Sequence, residues 1–259
     1  MDKIVKNIKI KKLIKTYKNN NKLFFVEGIM EFKMAIKGNY IPNKILICKD
    51  IFDNYNIIKS FNSIIIFISL NIFQKLVYRK NSGGIIGIFQ KLILKTIQNI
   101  IPPKNSLIVI LDGIEKPGNL GAILRTADSA GVNFIICCNL QTSIFNTNVI
   151  RCSLGSVFTQ QIMIEDKKLI LDWLKQHNIE IVSTSTNLKS TNLYDTYFAS
   201  SSSLAIVLGS ENKGLSNDWL KKSNKIIKIP MFGFIDSLNV SNVFSIIIYE
   251  IIRRKKYII

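Results

Sequence analysis

Short apolar runs alternate along this chain with stretches whose apolar positions recur at helical spacing, and that alternation predicts an α/β protein. Leu23 to Val26 reads as a strand, Gly28 to Lys37 as a helix, and Lys44 to Cys48 and Ser63 to Ile68 as two further strands. Asn81-Ser82-Gly83-Gly84 is a turn feeding a strand from Ile85 to Phe89. The consecutive prolines Pro102 and Pro103 exclude regular structure, which sets a boundary between a first domain over 1–100 and a second over 101–259. Beyond it, Leu107 to Leu111 is apolar throughout, as a strand covered on both faces must be. A helix over Asn119 to Ala130, a strand over Asn133 to Cys138 and a helix over Lys167 to Gln176 follow. Three more strands, Glu180 to Ser183, Leu204 to Leu208 and Lys225 to Ile229, precede a final helix from about Asn239 to Lys255. That helix carries Val243, Phe244, Ile247, Ile248 and Ile251 on one face, suited equally to a core and to contact with a second copy.

At 259 residues the chain is long enough to bury a sizeable core. A net charge of +18 and a pI near 9.7 point to a polyanionic partner, because lysine and arginine that neutralise phosphates release counterions. Abundant Ile, Asn and Lys together are also what A/T-rich coding produces, so part of the charge has a second source. Lys3, Lys6, Lys9, Lys11, Lys12, Lys15, Lys18 and Lys22 interleave with Ile4, Ile8, Ile14 and Tyr17 in a basic N-terminal arm. Such an arm either lies along RNA or forms a solvated helix face. Arginine is scarce, and two of the five, Arg125 and Arg151, fall in the loop-rich middle.

Cys48, Cys137, Cys138 and Cys152 show no C-x-x-C spacing, which fits neither a zinc site nor a disulfide framework and implies reduced thiols. The start of the chain lacks a signal-peptide run, and the apolar runs around Ile64 to Leu70 and Phe244 to Ile252 are too short to span a bilayer, so a cytoplasmic protein is expected.

Three loops carry candidate chemistry, and each follows a predicted strand, where open α/β sheets bind ligands. The first runs from Asp112 into the helix at Asn119. Asn119 is placed to cap that helix, Gly118 and Gly121 permit close backbone approach, and Arg125 follows along the helix. The second is Gly209-Ser210-Glu211-Asn212-Lys213-Gly214-Leu215-Ser216, where Gly209 lets a ligand lie against the backbone and Glu211 sets a carboxylate at a strand end. The third, Ile229 to Ser241, crowds Ser237 and Asn239 at the entrance of the final helix, where exposed amides favour polar ligands. There is neither a G-x-G-x-x-G fingerprint nor a Walker lysine.

In this order and spacing the three loops resemble the motifs of the SpoU or TrmH family of RNA 2′-O-ribose methyltransferases, within the SPOUT superfamily. The likeness runs from about Leu107 to the C-terminus. Asn119, Gly121, Arg125, Thr126 and Ala127 stand in motif one. Gly209, Ser210, Glu211 and Gly214 stand in motif two, and Pro230, Met231, Ser237, Leu238, Asn239 and Ser241 in motif three. Arg151-Cys152-Ser153-Leu154-Gly155-Ser156 resembles the intervening segment, with Cys152 where Ala is common. Phe25-Val26-Glu27-Gly28 and Ser82 to Ile88 are similar to a small, ribosomal-protein-like substrate-binding domain that many members carry.

The resemblance implies S-adenosylmethionine as methyl donor, held bent in a deep trefoil knot, with Thr184, Gly209, Ile229 and Leu238 contacting it. It implies Asn119, Arg125, Glu211, Ser237 and Asn239 as the catalytic and ribose-binding set, RNA as substrate with ribosomal RNA ahead of transfer RNA, and a homodimer through the second domain. No metal is expected. His177 lies after a predicted helix far from the motifs, and the family's proton acceptor stands at Arg125. A guanidinium holds its proton far above pH 7, so Arg125 serves only where the site weakens that hold or a substrate phosphate relays the proton. Two other classes stay open: a non-catalytic RNA-binding or ribosome-assembly protein of the same fold, and a nicotinamide-dependent oxidoreductase, which the missing glycine fingerprint disfavours.

Overall fold

The computed structural model describes residues 15–17, 20–78, 82–186, 190–199 and 202–257. Most of the basic arm, together with Arg79 and Asn81, lies outside the described residues. Two compact units are present: residues 1–93 with 144–159, and residues 94–143 with 160–259. The division falls before Pro102-Pro103 rather than at it, and the stretch 144–159 joins the first unit. Aromatic packing explains that membership, since Phe24 stacks on both Phe145 and Phe158. A Cβ on Gly38 would overlap the Phe158 carbonyl.

The first unit contains β1 (Leu23–Glu27), α1 (Ile29–Lys37), β2 (Pro42–Cys48), β3 (Ile65–Ile68), α2 (Leu70–Leu76) and β4 (Ile85–Gln90). They form a sheet of order β1-β4-β2-β3 in which only β2 and β3 run parallel. The strand expected from Ser63 begins at Ile65, because Tyr55–Ile64 is wound as 3-10 helix. Gly84, at φ +75, lies against the Phe52 backbone, where a side chain would clash. Leu46, Cys48, Ile68, Ile72, Phe73 and Ile86 make a buried cluster on one side of the sheet.

The second unit contains β5 (Leu107–Asp112), α3 (Pro117–Ser129) and β6 (Phe134–Cys138); α4 (Thr147–Cys152) follows in sequence but packs in the first unit. Then come β7 (Ile162–Ile164), α5 (Lys167–Gln176), β8 (Glu180–Thr184), β9 (Thr191–Asn192), β10 (Leu204–Leu208), α6 (Asn217–Lys222), β11 (Lys225–Lys228) and α7 (Val240–Tyr257). The sheet order is β7-β6-β5-β10-β8-β11-β9, and every pairing is parallel. All strand C-termini therefore share one edge, the edge where such sheets place ligands. At the centre of the sheet β10 is buried at all five residues, which accounts for its unbroken apolar run.

Helix α3 starts at Pro117, two residues before the expected start, with Lys116 at the cap. Proline suits the first helical position because its fixed φ matches the helix and its missing N–H is not needed there. Asn119 thus lies inside the first turn and does not cap it. A Cβ on Gly118 would meet nothing within 4 Å among the described residues, so the space beside it is open. Helix α7 buries Phe244, Ile247, Ile248 and Ile251 almost completely, so this face is core rather than a contact for a second copy. It lies beside α3, with Thr126 Oγ1 and Ser245 Oγ 3.1 Å apart.

Cys48, Cys137 and Cys138 are buried and Cys152 is half-buried, all as free thiols. Burial pushes the Cys137 thiol up to about 12, out of the range of a reactive thiolate. Among the described residues no helix is long and apolar enough to cross a membrane, and no group of His, Cys, Asp and Glu has a geometry that holds a metal.

Candidate active site

The loop after β10 is a tight turn: Gly214 N–H donates to the Ser210 carbonyl at 3.0 Å, Lys213 N–H donates to Ser210 Oγ at 3.2 Å, and Gly214 sits at φ +64. Gly209 enters this turn with no room for a side chain, since a Cβ there would overlap the Gly214 carbonyl and the Leu215 N–H. Glycine at this position is therefore required by the closure of the loop itself.

Closing the loop aims Glu211 at helix α3. The Asn119 side-chain amide donates to Glu211 Oε1 at 2.5 Å, and the Glu115 N–H donates to Glu211 Oε2 at 3.4 Å. Burial raises the Glu211 carboxyl, but donation from Asn119 and from the backbone of Glu211, Glu115 and Lys116 outweighs it and holds the group below the usual carboxylate range. Glu211 is therefore an anion at neutral pH and a weak proton acceptor.

Asn119 is 9% exposed and uses both ends of its amide, for its oxygen accepts from Asn239 Nδ2 at 3.1 Å. Asn239 Oδ1 accepts from Ser241 N–H at 2.9 Å and Ser241 Oγ at 2.7 Å, capping α7 as it does so. One hydrogen-bonded run, Glu211 to Asn119 to Asn239, therefore joins the three loops that the sequence separates by up to 120 positions.

Other expected site residues sit around this run without joining it. Arg125 is exposed on α3, and its guanidinium has no hydrogen-bond or ion-pair partner among the described residues. Ser237 is exposed and donates to its neighbour Asp236 at 2.9 Å. Thr184 is half-buried at the end of β8, donating to the Val207 carbonyl at 3.2 Å. Gly209, Thr184 and Ile229 follow or end β10, β8 and β11, which are neighbours in the sheet, so all three reach the same edge. Leu238 is 38% exposed on the segment before α7. Ser241, from the third motif, joins the arrangement, and Glu115 and Ser245 complete it without being singled out for chemistry from sequence. Glu115 followed a strand end and carried a carboxylate, a signal shared with many surface residues.

Comparison with known proteins places these features in a family. The model described as SpoU rRNA Methylase family matches residues 106–249. A Staphylococcus haemolyticus protein described as a TrmH family tRNA/rRNA methyltransferase is 36% identical over 151 residues, which is 58% of this chain and 59% of that protein's length. The crystal structure of an RNA 2′-O ribose methyltransferase superposes with a TM-score of 0.82 at 29% identity, covering 96% of each chain. An AdoMet-bound rRNA methyltransferase from Sinorhizobium meliloti shares the fold, with a TM-score of 0.80 at 23% identity over 93% of this chain and 91% of that one.

Proposed function

The chain belongs to the SpoU rRNA methylase family, and from that premise we propose that it transfers a methyl group from S-adenosylmethionine to a ribose 2′-hydroxyl of structured RNA, ribosomal RNA ahead of transfer RNA. The observation that carries this reading is the Glu211–Asn119–Asn239 run, which draws the three motif loops onto one strand edge. The staphylococcal relative's description spans both RNA classes, and the small first unit, similar to a ribosomal-protein-like binding domain, favours ribosomal RNA.

The residues at that edge fit the donor: backbone groups at Gly209 and Ile229, a hydroxyl at Thr184 and the apolar Leu238 suit an adenine edge and a thioether chain. When bound, S-adenosylmethionine supplies an electrophilic methyl on a sulfonium. What the chain adds is placement, which supplies much of the rate in such a transfer. Glu211 fixes the Asn119 amide, Asn119 fixes Asn239, and the two carboxamides set the ribose hydroxyls. Arg125, exposed and without a partner among the described residues, meets the target nucleotide and stands where the hydroxyl proton leaves, directly or through a substrate phosphate.

The same reading carries a trefoil knot in the second unit and a homodimer built through it. Met231, Phe232, Phe234 and Ile235, all exposed, supply apolar surface for that contact. The test is incubation with methyl-labelled donor and total RNA from cells lacking the protein, followed by mapping of 2′-O-methyl positions. Label on a ribose is expected; label on a base, or none, overturns the reading.

A further inference from the structure

The strand edge of the second unit holds another concavity that the donor and ribose residues leave unused. In the sheet, β8 and β11 lie on one side of β10, while β5 and β6 lie on the other. The concavity lies between the ends of β5 and β6 and the loop after β10, lined by Asp112, Glu115, Asn139, Gln141, Lys213 and Leu215 among others, with a volume of about 660 Å³. That size falls inside the roughly 300–1,000 Å³ of small-molecule sites.

Its polar groups differ in what they have left to offer. Asp112 is committed to structure: Oδ1 accepts from Asn139 Nδ2 at 2.7 Å and Oδ2 from the Trp219 indole at 2.8 Å. Gln141 Nε2 donates to the Asn139 carbonyl at 2.9 Å. Glu115 gives only Oε2 to a neighbour, accepting from Asn212 at 3.1 Å. Lys213 is exposed and supplies the one cation of this lining.

Two carboxylates beside a single ammonium make a poor host for phosphate. They suit a neutral, flat group that offers donors and acceptors together, which describes a nucleobase. A carboxylate also discriminates among bases, because it accepts from the exocyclic amine of cytosine, adenine or guanine. Uracil has no such amine and presents carbonyl oxygens on both sides of its one N–H. The place is right for the target's own base. Glu115 lines the pocket, and its N–H already touches Glu211, so the pocket begins where the ribose site ends.

We propose that this pocket receives the base of the nucleotide being methylated and that Glu115 accepts from its exocyclic amine, so the enzyme prefers adenosine, cytidine or guanosine to uridine. This rests on the methyl-transfer reading above. The test uses the full protein and RNA transcripts of the mapped site carrying each of the four bases at the target. Wild-type kcat/KM is expected to fall about tenfold or more on the uridine transcript. In Glu115→Gln the gap closes to about threefold or less, because an amide also donates to a uracil carbonyl. Glu115→Ala lowers the amino-bearing transcripts to the uridine level, and neither variant alters the KM for S-adenosylmethionine. Thermal melts confirm that both variants are folded. An unchanged base preference in both variants, or a wild-type preference for uridine, overturns the pocket's role while methyl transfer stands. Failure of the wild-type protein to methylate ribose in any RNA overturns both.

Discussion

Arg125 and Gly209 show two ways in which a single residue serves the site. Arg125 protrudes from α3, and its guanidinium has no partner among the described residues, so its removal leaves packing alone. Arg125→Ala is expected to lower ribose methylation about 100-fold or more, the size of a lost charge-stabilising donor. Stability should stay within about 0.5 kcal/mol, as for other exposed positions. Label incorporation and a denaturant midpoint measured on the same preparation check the two statements. Gly209 is the opposite case, because its hydrogen faces the backbone of its own loop. Gly209→Ala is expected to cost roughly 1–3 kcal/mol through overpacking. It should weaken donor binding by calorimetry as well, since the Gly209 backbone proposed to contact the donor is displaced.

At the scale of elements, the long strands and helices were readable and the short ones were not. Helix Lys167–Gln176 and strand Leu204–Leu208 appear where their periodicity places them. Helices Leu70–Leu76, Thr147–Cys152 and Asn217–Lys222, and strands Ile162–Ile164 and Thr191–Asn192, are too short for a period to show. The last helix is held by its periodic apolar face and also by an ion-pair cluster that no period reveals. Glu250 accepts from Arg253 at 2.7 and 2.8 Å and from Arg254 Nε at 2.5 Å, while Arg254 also donates to the Thr196 and Tyr194 carbonyls. The Arg253 hydrogen bonds come first among the causes that hold the Glu250 carboxyl at about 2, against an ordinary value near 4.5, even though burial pushes it upward. A carboxyl depressed on folding stabilises above its unfolded pKa, and that contribution is lost as pH falls through the folded one. The melting advantage of the wild-type protein over Glu250→Gln is therefore expected to be constant above about pH 5.5 and to shrink between pH 4.5 and 2. Melting curves across that range decide it.

For the whole molecule, the exposed Met231, Phe232, Phe234 and Ile235 ask for a partner surface. Sedimentation is expected to show a homodimer, and the double variant Phe232→Ser, Phe234→Ser to weaken it tenfold or more. A wild-type protein that sediments as a monomer would remove the dimer from the proposed function. RNA affinity should fall at least tenfold between 50 and 200 mM salt, as counterion release requires of a chain with a net charge of +18. A flat salt response would assign the charge to coding bias.

The α/β class, most of the longer elements and the three loops with Asn119, Glu211 and Asn239 were all legible in the amino-acid order. Each is marked by periodicity or residue type within a few positions, and a local pattern survives being read in one dimension. The Glu211–Asn119–Asn239 hydrogen bonds, the membership of 144–159 in the first unit and the pocket beside Glu115 were not legible. They depend on which parallel strand lies beside which, and in this sheet β5 neighbours β10 and β6 with 91 positions between the end of β5 and the start of β10. Burial and strand pairing decide that order through contacts among residues distant in the chain, where no local preference reaches.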